Sequence, residues 1–264
     1  MTTLRRCSRF TTVLALAGAL VTSGACNEFL AVDNPSAIQA EDLTDPRYAT
    51  LIANGVVGEF QPMFSNLAWW NGVFADELYN RAVFFEEGLI DQRNVTETNG
   101  TFSTFLYGPL HRTRWLADDG AARLKEAMGD TATRDLRLAR VLAYGGYSYL
   151  YLAEMQCNSP IDRSAPKSPD ELVALAMARF TEAVAVATAA RAAQPLPTTA
   201  TALGADSIRF LSLIGSARAS LYANKATEAA AYAATVIAQA PANWEARVYY
   251  SATRRGRTTG SGIA

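Results

Sequence analysis

Histidine is almost missing from this chain, with one in 264 residues, and cysteine is scarce, with three. A metal centre needs several ligands held together, so the lone His111 reads as a polar helix residue and no metal site is expected. Of the cysteines, Cys7 and Cys26 fall in or at the end of a leader, and Cys157 is left alone. It cannot close an internal disulfide, so an exported protein of this kind must be held by its core. Cys157 stands far from His111 in sequence and reads as a buried thiol at a helix end rather than a nucleophile. A basic surplus is also missing. With 24 Lys and Arg against 25 Asp and Glu, no field draws nucleic acid. There is no G-x-S-x-G and no glycine-rich phosphate loop. A glycosidase would need two carboxylates a defined distance apart, and pairs such as Asp118-Asp119 read as solvated surface. The chain therefore reads as non-enzymatic and without a cofactor. Alternation of the kind that makes a sheet is lacking too, which leaves an all-α protein.

What is present begins with an N-terminal leader. The basic stretch MTTLRRCSR precedes an apolar run from Phe10 to Val21, then Thr22-Ser23-Gly24-Ala25 and Cys26. This is a secretory signal peptide over residues 1–25. Cys26 after Ser-Gly-Ala resembles a bacterial lipobox, which would make it the lipidated first residue of the mature chain, although Ser23 stands where Leu is usual. Without the leader, 21 basic residues face 25 acidic ones. Residues 26–44 read as a lipid-anchored lead-in that lets the folded body stand off the membrane.

The helical domain is expected over residues 45–250. Thr44-Asp45-Pro46 offers a cap and a first-turn proline for a helix through Tyr48, Leu51, Ile52, Val56 and Phe60. From Gln61 to Gly100 aromatics alternate with amides and acids, a chemistry suited to carbohydrate, though most large rings end up in a core. Trp69-Trp70 stands out because adjacent helical positions cannot face the same way, so one ring is expected at a surface or interface. Thr101 to Met128 is expected to be helical with Pro109 bending or interrupting it.

The longest fully apolar stretch, Val141 to Leu152, lies between Arg140 and Glu154. A bilayer span needs about 20 such residues, so this is a helix buried on every side. Thr133 is the expected cap and Asn158-Ser159-Pro160 the stop. Each glycine of Gly145-Gly146 disfavours helix by about 1 kcal/mol, which suggests that another helix packs close against them. The helix after the Ser168-Pro169-Asp170-Glu171 capping box is the expected partner, and the tyrosines of the central helix need not all be core. Further helices are expected from Asp206-Ser207 and over Thr227 to Ala240. Ala217, Ala229 and Pro241 stand at equal steps of twelve, a degenerate tetratricopeptide-like pattern. Leu142, Gly146 and Tyr149 with Ala176 and Phe180 form a second partial copy. Residues 251–264, with three arginines and three glycines, read as a disordered tail.

CNEFLAVDNPS, ADELYN, LYGPLHRTRWLADD and RVLAYGGYSYLYLAEMQCNSPID, in this order and followed by degenerate helical hairpins, resemble the SusD/RagB family. The resemblance runs from about Cys26 to Trp244. It implies an outer-membrane, surface-exposed lipoprotein that binds a nutrient such as an oligosaccharide. It also implies a partner, a SusC-like TonB-dependent transporter to which the nutrient is delivered. Members of that family are longer, so the chain looks like a truncated or frame-shifted member that lacks part of the binding half. Trp69, Trp70, Asn71 and Asp76 are the expected ligand contacts. The alternative is a periplasm-facing helical-repeat adaptor without a small ligand, which protease accessibility on whole cells would separate from a surface protein.

Overall fold

A computed structural model describes residues 38–81 and 83–247. The signal peptide, Cys26 and the tail over 251–264 lie outside the described residues. By its contacts the chain divides into two units, residues 1–40 and residues 41–264. The second unit is all-α: α1 (Ala49–Phe74), α2 (Phe85–Asp91), α3 (Gly108–Met128), α4 (Leu136–Met155), α5 (Pro169–Ala192), α6 (Ala200–Tyr222) and α7 (Ala226–Gln239). A two-residue antiparallel pair, Ser159–Pro160 with Pro166–Lys167, closes the loop between α4 and α5.

Local chemistry sets most of the helix ends. The Asp45 carboxylate accepts from the Arg47 N–H, with Pro46 in the first turn of a short 3-10 segment that runs into α1. Ser168 and Glu171 form a complete capping box at the start of α5. Two expected starts move. The cap of α4 is Asp135, not Thr133, because residues 129–134 form their own 3-10 turn and Asp135 accepts from the Arg137 N–H at 2.8 Å. The helix expected from Asp206 begins six residues earlier at Ala200, capped by Thr199, whose hydroxyl accepts from the Ala202 N–H. Pro109 sits in the first turn of α3, preceded by a π-helical turn over Ser103–Tyr107.

The centre of the molecule is α4, and from Val141 to Leu152 only Tyr144 keeps more than slight exposure. It packs against α3, α5, α6 and α1. The close approach expected at its glycines is there. A Cβ on Gly146 would lie 2.6 Å from the Phe180 ring of α5, and one on Gly145 would lie 3.1 Å from the Ala117 methyl of α3. Phe180, fully buried, meets Gly215 of α6 on its other side, where a Cβ would come within 2.4 Å. One ring thus joins three helices. The length and composition of α5 would suit a membrane crossing, and the face that carries Leu172, Ala176, Phe180, Ala183 and Ala187 is buried where α5 packs against α4 and α6.

Candidate functional site

Along α4, Arg140, Tyr144, Tyr147 and Tyr151 recur at helical spacing and fall on one face. They form the floor of a groove of about 1270 Å³. Because α4 packs on both α1 and α6, those two helices supply the facing walls. Phe60, Gln61, Phe64 and Trp69 come from α1, and Ser207, Leu211, Ile214 and Arg218 from α6. Leu78 and Tyr79 reach one part of the rim, and Glu245 to Arg247 another. From Arg140 to Tyr151 the helix rises by about 16 Å, so the groove is elongated.

Mutual ring packing fixes the aromatic wall. Phe60 lies 4.6 Å from Tyr144 and 6.0 Å from Phe64, and Phe64 lies 6.1 Å from Tyr151, centroid to centroid. The Tyr147 hydroxyl donates to the Leu211 carbonyl at 2.9 Å, tying floor to wall. Burial pushes the Tyr151 phenol up to about 12, so it is a neutral hydroxyl under ordinary conditions. Over its ring sits the Arg218 guanidinium, 5.4 Å from the centroid and bidentate to Glu154 at 2.7 Å on both arms. Glu245 and Arg247 pair with one another at the rim.

The four residues singled out from sequence separate. Trp69 lines the groove, half-buried. Trp70 lies behind it in the core at 4% exposure. The expectation that one of the pair reaches a surface holds, with Trp69 at the groove and Trp70 in the core, although their rotamers stack the two rings at 5.4 Å and 3°. Asn71 is exposed outside the groove. Asp76 ends α1 in a left-handed conformation and pairs with Arg93, which also donates to the Phe74 carbonyl, so it fixes the loop instead of lining the groove. That loop folds back over Gly72, whose missing Cβ leaves room for Leu78, and so brings Tyr79 to the rim. Sequence reading missed Arg140, which marks only the edge of the apolar run. The i, i+4, i+7, i+11 spacing of Arg140 with the three tyrosines was the available signal.

A second polar cluster lies under α3. Asp118, expected on a solvated face, is instead mostly buried and accepts from Tyr149 at 2.6 Å and from Arg179 at 2.8 and 3.1 Å, with Arg114 at 3.4 Å. Arg114, 4% exposed, also donates to Asp162 at 2.7 Å. Asp119 does stay near the surface, bridged to Arg123. His111 packs at a tilt against Tyr107, 4.4 Å between ring centroids, and its Nε2 lies 3.0 Å from the Ser159 hydroxyl. Ser159 is fully buried, and the contact ties α3 to the loop after α4. Burial and then the Arg114 charge lower the His111 pKa, keeping the imidazole neutral. Cys157, expected to be buried, is exposed because α4 ends at Met155 and the chain leaves the core there. Among the described residues no group of three or more His, Cys, Asp or Glu could hold a metal.

The groove is thus an aromatic trough with hydroxyls, amides and guanidinium groups at intervals. Among the described residues Glu245 is the one acid that lines it. Compared with family models, curated proteins and solved structures, the chain matches none.

Proposed function

We propose that this chain is a binding protein that captures an elongated nutrient, an oligosaccharide, in the groove between α1, α4 and α6. The observation that carries the reading is the groove itself: about 1270 Å³, walled by aromatic rings with polar groups between them. Flat ring faces stack on the apolar faces of sugars, and the interleaved Gln61, Ser65, Ser207 and tyrosine hydroxyls meet sugar hydroxyls. Without an acid pair the groove suits capture better than cleavage.

The remaining parts of this reading rest on the sequence texture that resembles the SusD/RagB family. They are a lipid anchor at Cys26, a place at the outer membrane facing the cell surface, and delivery to a SusC-like TonB-dependent transporter. The consecutive pairs α4 with α5 and α6 with α7 are proposed to be degenerate tetratricopeptide-like hairpins. Val83, Phe84 and Phe85 are 95%, 67% and 79% exposed, an apolar run that suits contact with a partner protein and also favours the adaptor reading. Calorimetry against a panel of oligosaccharides tests the ligand. Binding that Trp69→Ala weakens about 10-fold or more supports the groove, since stacking contacts of this kind contribute about 0.5 to 1.5 kcal/mol beyond the area they bury. Silence across the panel from a folded chain leaves the adaptor as the better reading.

A further inference from the structure

We infer that the ligand of this groove carries a carboxylate or like anionic group, bound by the Arg140 guanidinium, so that the groove selects acidic ligands over neutral ones. This rests on the proposed reading of the groove as the ligand site.

The first observation is charge. Facing the groove are Arg140 from α4, Arg218 from α6, and Glu245 and Arg247 from the segment after α7; the lining residues of α1 and of the loop at Leu78–Tyr79 carry none. Arg218 is neutralised by Glu154 and Arg247 by Glu245. Among the described residues Arg140 has neither an ion pair nor a hydrogen bond, although it is half-buried. One cation in an aromatic trough is therefore uncompensated. A guanidinium presents a planar fork of donors that fits a carboxylate on two arms, and a partly desolvated site strengthens that contact.

The second observation is independent. Tyr151 is 5% exposed and lines the groove, yet its hydroxyl has no hydrogen-bond partner among the described residues. The same holds for Tyr144, one turn from Arg140. The ring is buried while the hydroxyl opens to the groove, where a ligand's polar group can take the place of water. The backbone positions of Arg140 and Tyr151 are about 16 Å apart along α4. The ligand that fits both has an anionic group at one end, a polar group at the other, and a body that lies on Phe64 and Trp69. An acidic oligosaccharide and a long-chain fatty acid share the anionic chemistry.

The test is titration calorimetry on the full chain with four probes: trigalacturonate, its methyl ester, dodecanoate and dodecanol. The expected result is that at least one acid binds at least 10-fold more tightly than its neutral counterpart. Arg140→Gln should then weaken the acid by about 10- to 100-fold, as loss of a charge-assisted hydrogen bond does, and leave the neutral probe unchanged. Arg140→Lys should recover part of the loss, and affinity for the acid should fall with added salt. Equal binding of acid and neutral partner, or full affinity in Arg140→Gln, overturns the anion inference and leaves the groove reading standing. No binding by any of the four, or binding that survives Ala68→Trp in the groove, overturns both. Preference for trigalacturonate supports the oligosaccharide, whereas preference for dodecanoate keeps the anion inference and overturns the oligosaccharide.

Discussion

Asp118 takes donors from Tyr149, Arg114 and Arg179, which belong to three different helices. Removing its carboxylate would leave the buried Arg114 with Asp162 alone. Asp118→Ala is therefore expected to lower stability by about 2 to 4 kcal/mol, read as a shift in the denaturant midpoint at unchanged slope. A change below about 0.5 kcal/mol would mean that the cluster is no more than a surface pair. His111 gives a pH dependence of defined sign. Its folded pKa lies below the ordinary imidazole value of 6.5, so below that pH the unfolded chain takes up more protons than the folded one. The contribution is fully present above pH 6.5 and is lost as pH falls toward the folded value, with Arg114 opposing the added charge and Asp162 favouring it. Melting curves from pH 8 to pH 5 should show this loss in the native chain and a smaller one in His111→Gln; identical profiles would contradict it. Neither network was legible in sequence. Arg179 stands 61 positions from Asp118 and Ser159 stands 48 from His111, and no local pattern announces such partners.

Phe180 between Gly146 and Gly215 is the junction at which α4, α5 and α6 meet. An added methyl at either glycine would enter the ring, and overpacking of this kind costs about 1 to 3 kcal/mol. That exceeds the roughly 1 kcal/mol that Ala gains over Gly in helix propensity. Gly146→Ala and Gly215→Ala should each lower the melting temperature, and Gly146→Leu should unfold the hairpin. Gly55→Ala, where nothing lies within 4 Å of the new carbon, should raise it. If all three alanine variants behave alike, the packing is wrong. The α4 side of this junction could be read from sequence, because a pair of glycines inside an apolar run needs a close neighbour to justify it. Gly215 carried no such flag. The capping box of α5 was equally legible, since its four residues are contiguous. The start of α6 was not: Ala200 to Ala205 is nearly all small residues without apolar periodicity, and Thr199 gives little warning before them.

At the scale of the molecule the groove lies where α1 and α6 both pack on α4, along the face that carries Tyr144, Tyr147 and Tyr151. Trp69 could be picked out from sequence as a chemically suitable ring. Trp70, Asn71 and Asp76 could not be separated from it, because burial and loop geometry depend on where α4 and Arg93 lie. The tyrosine stripe was visible as spacing, but its meaning depends on two helices about 80 and 65 residues away in the chain. Ala68 is exposed and lines the groove, so Ala68→Trp places a bulky ring in the trough without disturbing the core. Calorimetry of the native chain and this variant, with the best oligosaccharide of the panel and matched melting temperatures, tests the central claim most directly. A groove that is the binding site predicts at least a 10-fold loss of affinity in Ala68→Trp; unchanged affinity would place the ligand elsewhere and contradict it.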